Sequence, residues 1–188
     1  MSKNSTVNYG PLTGLIGVWK GDKGLDVAPE PDGAEKNPYR ETITFTECGT
    51  VTNAGMQTLS VLHYHQIVVR KSDNEVFHNE TGYWMWDTAE KTIMHSLTIP
   101  RGVCVLAGGR YDGRKDYDGN VVLEVSAAVD NKEWCIVQSP FMQMKALTTD
   151  FRQKIVVGGG KMTYSETTML NIYGKTFEHT DGNELTLL

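Results

Sequence analysis

Five histidines, His63, His65, His78, His95 and His179, are the residues of this 188-residue chain best suited to chemistry, and they stand in a sequence rich in methionine, tyrosine and tryptophan. Imidazole is a good axial ligand for iron, and an apolar cavity flanked by histidines suits a porphyrin. A histidine on a strand can equally be a hydrogen-bonded, half-exposed side chain, so residue types alone leave both readings open. Other chemistries lack their motifs. There is no nucleophile elbow, phosphate loop, dinucleotide fingerprint or HExxH, and Gly108-Gly109 and Gly158-Gly159-Gly160 lack the lysine or helix of a phosphate site. Cys48, Cys104 and Cys135 are an odd set without CxxC spacing. They argue against a structural zinc site, fit a reducing compartment and read as small core or strand residues.

The elements that must position these histidines are organised around residues 17–24, Gly-Val-Trp-Lys-Gly-Asp-Lys-Gly. Trp19 between glycines suits the first strand of an antiparallel barrel whose indole plugs one end, with Gly21 and Gly24 letting the strand bend over it. A solvent-side indole beside a flexible loop is the other reading. Residues 11–16 suit a short helical turn over the barrel mouth. Residues 25–38 hold three prolines and read as a long loop, of the kind that serves a ligand site at a barrel rim. From Glu41 onward the text is that of strands, expected at 56–70, 75–86, 91–99, 103–107, 121–127, 133–138, 142–149, 150–157 and 161–173, with a second long loop at 110–120. Period-two alternation puts Leu62, Tyr64, Gln66 and Val68 on one face, and His78, Glu80, Gly82, Trp84 and Trp86 on one face of the next strand.

About ten strands at hairpin spacing without interleaved helices imply an all-β fold. The expected architecture is an up-and-down antiparallel barrel of the calycin type, lipocalin- or fatty-acid-binding-protein-like, with a short N-terminal helical turn. Residues 1–10 are expected to be a flexible N-terminus and 11–188 a single barrel domain. A β-sandwich is the competing fold. A barrel plugged at one end holds one small, mostly apolar ligand, or is filled by its own tryptophan, methionine and tyrosine side chains. The net charge of −5, a pI near 5.5 and scattered lysines and arginines argue against a nucleic-acid or anionic-membrane partner. No apolar run approaches the roughly 20 residues of a membrane helix, and the N-terminus lacks the apolar core of a signal peptide. The expected protein is cytoplasmic, a monomer or homodimer.

The order of the motifs carries more. The start Pro11-Leu-x-x-Leu-Ile-Gly-Val-Trp-Lys-Gly21, Tyr64-x-Gln66, His78-Asn-Glu80-Thr-Gly82-Tyr-Trp84, Arg152, Met162-x-Tyr164 and a histidine near the C-terminus together resemble the nitrobindin family of haem-binding β-barrels. The resemblance spans nearly the whole chain and is most specific at Gly17-x-Trp19-x-Gly21 and His78-x-Glu80-x-Gly82-Tyr83. It implies haem b bound through a single histidine near the C-terminus, nitric oxide binding at the open iron position and, as in some members, isomerisation of peroxynitrite to nitrate. Carried onto this chain, His179 becomes the proximal iron ligand and His78 the distal-side histidine, with Trp19, Arg101 and Tyr64 also assigned to the cofactor pocket. Arg101 would hold a propionate or form a rim salt bridge. The alternative for His179 is a turn histidine bonded to Asp181. The alternative function is a carrier or sensor of a fatty acid or other small apolar carboxylate, held by Arg101 and Arg152 without turnover.

Overall fold

The computed structural model describes residues 7–188. A 3-10 turn at Gly10–Leu15 is followed by β1 (Gly17–Glu30), β2 (Gly33–Asn53), β3 (Gln57–Arg70), β4 (Val76–Asp87), β5 (Thr92–Ile99), β6 (Val103–Arg110) and β7 (Val121–Ala128). Then come β8 (Ile136–Gln138), the short helix α1 (Pro140–Lys145), β9 (Ala146–Gly158), β10 (Lys161–Ile172) and β11 (Lys175–Leu187). The strands pair in the order β5-β4-β3-β2-β1-β11-β10-β9-β7-β6, and β6 pairs back onto β5, closing a ten-stranded antiparallel barrel. The three-residue β8 adds to the outer part of β6. Among the described residues no helix is long and apolar enough to cross a membrane.

The barrel has one apolar, capped end. The 3-10 turn places Leu12 and Leu15 with no exposure against Trp19, whose indole N–H donates to the Leu15 carbonyl at 2.7 Å. Phe45, Leu62, Trp84, Trp86, Ile93, Leu123, Val157, Met162 and Leu185 complete this plug. The expected bend in β1 is present as a register shift between Gly21 and Gly24. It requires glycine: a Cβ on Gly24 would lie 2.1 Å from the Tyr39 ring. Residues 1–6 of the expected flexible N-terminus lie outside the described residues. In its described part Tyr9 is buried, its hydroxyl accepts the Gly49 N–H at 3.0 Å, and Ser60 donates to the Asn8 carbonyl.

Three expectations are corrected. Residues 25–38 are not a long loop but the paired ends of β1 and β2, turning at Pro31-Asp32. The prolines fit because their missing N–H groups fall beyond neighbouring pairings: Pro29 lies past the last β1–β11 pair at Val27, and Pro38 sits where β3 has ended at Arg70. Residues 142–149 are not a strand but the end of α1 and the start of β9, the helix being capped by Ser139 Oγ, which accepts the Met142 N–H. Finally, residues 175–187, which the alternation did not mark, form β11, the strand that joins β10 to β1 and closes the barrel.

The weakest seam lies between β6 and β7, which share the single bridge Gly108–Ser126. Toward the open end β8 covers that seam, and Gln138 ties it to β9 by donating to the Thr148 carbonyl at 2.8 Å and accepting the Thr148 N–H at 2.7 Å.

Candidate functional site

Away from the plug, the inner face turns polar on the β1, β2, β3, β4, β10 and β11 side. Asp26 on β1 is opposite Asp181 on β11, so His179, two residues away, shares their inward face. His179 Nε2 lies 2.6 Å from Asp26 Oδ1, and the other Asp26 oxygen accepts from Asn37 Nδ2 at 3.1 Å. Asp26 is buried, whereas the His179 side chain keeps 30% exposure, which places it near the open mouth. The partner of His179 is therefore Asp26 across the sheet, not Asp181 in a local turn. Asp181 instead accepts from the Tyr39 hydroxyl, which also contacts the Tyr164 hydroxyl at 2.7 Å.

Deeper in, Glu41 accepts from Asn183 Nδ2 at 2.7 Å, Gln66 Nε2 at 2.7 Å and the Tyr164 hydroxyl at 3.2 Å. On the neighbouring strands Tyr64 donates to Glu80 Oε1 at 2.5 Å and accepts from His95 Nε2 at 2.8 Å, while His95 stacks on Trp84 with centroids 4.2 Å apart. His78 Nε2 lies 3.4 Å from the second Glu80 oxygen. Gln153 Nε2 donates to Glu166 Oε2 at 2.9 Å.

Burial sets the protonation of this network. It raises the Glu41 carboxyl to about 7 against the opposing hydrogen bonds, and Asp181 to about 6. Glu166 is pushed well above the usual carboxylate range by burial and then by Glu80. His95 is pulled down to about 4 by burial, so it is neutral at pH 7. For Glu80 and His78 burial opposes charge, but their mutual attraction wins: Glu80 goes down and His78 goes up, an ion pair.

The structure brings His78, Tyr64 and His179 to the inner wall, and places Arg101 on the exposed β5–β6 turn at the open mouth, where it donates to the Phe77 carbonyl at 3.3 Å. Trp19 sits at the opposite, capped end. His63 and His65 face outward, bonded to Thr81 and Asn79. Arg152 is exposed on the outer wall. Residues that the alternation did not single out for the site are Asp26, Glu41, His95, Gln153, Glu166 and Asp181. A signal for His95 exists, since Ile93, His95 and Leu97 alternate as one inward face. A groove of about 1000 Å³ lies on the outer wall, lined by Lys20, Arg40, Thr42, Ile67, Lys161 and Leu188.

The donor set at the open end fits a haem iron. An imidazole held through one nitrogen by a buried carboxylate is the usual arrangement of a metal-ligating histidine. Across the barrel, Leu97, Val103 and Ala127 on β5, β6 and β7 supply an apolar wall.

Comparison with known proteins gives the family and a likeness of fold. The family model described as "THAP4-like, heme-binding beta-barrel domain" matches residues 8–186. No curated protein matches the chain. Among solved structures, the crystal structure of Rv2717c from M. tuberculosis superposes with a TM-score of 0.66 at 20% identity, covering 94% of each chain, a likeness of fold.

Proposed function

The chain belongs to the THAP4-like, heme-binding β-barrel domain family, and from that premise we propose that it binds haem b at the open end of its barrel with His179 as the axial ligand. The observation that carries this reading is the Asp26–His179 pair at 2.6 Å on the inner face of β1 and β11. Asp26 fixes the orientation of the imidazole, and Asn37 in turn holds Asp26. Arg101 at the mouth supplies positive charge for a propionate, and His78, whose pKa the neighbouring Glu80 raises against burial, faces the same interior. Bound iron would supply one open coordination position for a diatomic such as nitric oxide and a Lewis acid toward peroxynitrite. The reading places the barrel in the cytoplasm, where its three free thiols stay reduced.

The carrier reading has less support. Of the two arginines that would hold an acyl carboxylate, Arg152 points outward and Arg101 lies on the exposed β5–β6 turn, so neither reaches into the acid-lined interior of Asp26, Glu41, Glu80 and Asp181.

Hemin titration tests the proposal. The chain is expected to give a sharp Soret band that His179→Ala abolishes and His63→Ala, on the outer wall, leaves unchanged. Asp26→Asn is expected to weaken hemin binding about tenfold. An identical Soret band in folded His179→Ala would overturn the assignment.

A further inference from the structure

The fold gathers on one outer wall cations that the sequence scatters. Where β1, β10 and β11 send Trp19, Met162 and Leu185 into the plug, the alternate residues Lys20, Lys161 and Thr186 face outward. The registers set them in one row across five strands: Ile67 is paired with Thr42, Thr42 with Lys20, Lys20 with Thr186, and Thr186 with Lys161. Directly opposed residues on one face lie about 5 Å apart, so Thr186 has a lysine on either side. The two lysines stand two strand spacings apart, about 10 Å, within reach of each other over the Thr186 hydroxyl on their four-carbon stems. Beside the row β1 changes register, between Lys20 and Leu25 against β11 and between Gly21 and Gly24 against β2, and such a bulge re-aims outward side chains.

All five residues of the row line the same groove of about 1000 Å³, the size of a small-molecule site. Its charge is unbalanced. Lys20, Lys23, Arg40 and Lys161 line it against two outward carboxylates, Asp22 and Glu184, since the Glu41 carboxylate turns to the interior and bonds Asn183. Lys23 is spent on Glu184 at 2.6 Å, and Arg40 donates to the neutral Asn74 Oδ1 at 2.9 Å. Neither Lys20 nor Lys161 takes part in an ion pair among the described residues. In a chain of net charge −5 such a local excess of positive charge favours an anion. The anion is compact, because Asp22 and Glu184 stand on the same wall and would repel a polyanion running past the two lysines. At the β3 end the groove is apolar, with Ile67 and Val69 half-buried in its floor.

We propose that this groove binds a phosphate ester with an apolar substituent, the phosphate held by Lys20, Lys161 and the Thr186 and Thr42 hydroxyls, and the substituent laid against Ile67 and Val69. A phosphate monoester carries close to two negative charges and three acceptor oxygens, which balances two ammonium groups and serves both hydroxyl donors. A carboxylate brings one charge and fits less well. This goes beyond the haem reading and does not rest on it, since the groove is on the outer wall and contains none of His179, Asp26 or Arg101.

The probe is phenyl phosphate, titrated into the purified chain with and without hemin while amide resonances are followed by NMR, beside inorganic phosphate and benzoate. Saturable shifts are expected at Lys20, Thr42, Lys161 and Thr186, with phenyl phosphate binding severalfold more tightly than either comparison anion. Raising the ionic strength to about 1 M, where the Debye length is about 3 Å, should weaken binding severalfold. Lys20→Gln with Lys161→Gln should weaken it about tenfold, and Thr186→Val by less, as expected for lost hydrogen bonds to a charged group. No saturable shift, shifts centred on Lys154 of the opposite wall, benzoate binding as tightly as phenyl phosphate, or equal affinity in the folded double variant overturns the proposal. If the double variant does not fold, equal affinity in Lys161→Gln does so. Phosphatidate vesicles separate the sources of the phosphate: sedimentation with them that phenyl phosphate competes away identifies a lipid headgroup, and no sedimentation identifies a soluble ester. Sedimentation that phenyl phosphate does not compete away overturns the groove as the site. The hemin Soret band, which substitutions on the outer wall leave intact, reports separately on the haem reading.

Discussion

At the capped end of the barrel the inward positions are Trp19, Phe45, Leu62, Ile93, Leu123, Met162 and Leu185; further along the same strands they are Asp26, Glu41, Gln66, Glu80, Glu166, Asp181 and Asn183. The same strands and period thus serve two kinds of interior. The first is held by removing apolar surface from water and by close packing, so it is insensitive to pH and has no use for a ligand. The second is held by pairing each polar atom with another. Its pairing is incomplete at His95 Nδ1 and Gln153 Oε1, so it stays responsive to protons and to whatever enters from the mouth.

The comparison breaks most visibly at the plug. Trp19 is 1% exposed, and its indole both fills the capped end and ties the 3-10 turn through Leu15. Trp19→Ala is expected to lose about 3–5 kcal/mol in urea unfolding, the range for a large buried aromatic. Trp19→Phe should lose less. A loss under about 1 kcal/mol in Trp19→Ala would mean that the end collapses freely and is not a packed plug.

The polar half is expected to betray itself through pH. Glu41 has its folded pKa raised from 4.5 to about 7, chiefly by burial. The folded state therefore binds more protons than the unfolded chain between those values, and stability falls as pH rises from about 4.5 to about 7. The loss from this one group has an upper bound of roughly 3 kcal/mol. His95 works oppositely: its folded pKa of about 4 lies below 6.5, so its contribution to stability rises with pH across that window. Glu41→Gln should accordingly flatten the decline between pH 5 and pH 7.5 in denaturant melts relative to the parent chain. Equal slopes in the two proteins would show that Glu41 is solvated, not buried in a closed network.

These contrasts explain what was readable in advance. The plug is readable because Trp19 stands between glycines and apolar residues such as Leu62 alternate along their strands, and Leu62, Tyr64, Gln66 and Val68 share one face of β3 as expected. The strand that carries His179 was not. Along β11 the inward positions are His179, Asp181, Asn183 and Leu185, so a period-two pattern of apolar residues never forms, and Asp181-Gly182-Asn183 imitates a turn. The polar lining that hides the strand is also the feature on which the proposed haem site rests. His179 itself was reached through the family resemblance, whereas its partner Asp26 was hidden in a proline-rich stretch whose pairing depends on where β3 and β11 end. The short α1 carries its own signal in the sequence, an N-cap Ser139 followed by Pro140, set inside a stretch that otherwise reads as strand.

The finest test separates a paired polar interior from a wet one. The Tyr64 hydroxyl is the joint between Glu80 and His95, donating to one at 2.5 Å and accepting from the other at 2.8 Å. Tyr64→Phe keeps the ring that stacks on Phe45 and removes only that oxygen. If the belt is closed by side-chain pairing, Glu80 Oε1 and the His95 N–H are both left without a partner, and the variant should lose about 1–3 kcal/mol. Its near-ultraviolet circular dichroism should also change, because His95 is free to turn against Trp84. If mobile water already fills the belt, water takes the place of the hydroxyl and the loss falls below about 0.5 kcal/mol with an unchanged aromatic spectrum. That second outcome would make the two halves differ in hydration more than in pairing, and it would leave His95 Nδ1 and Gln153 Oε1 served by solvent.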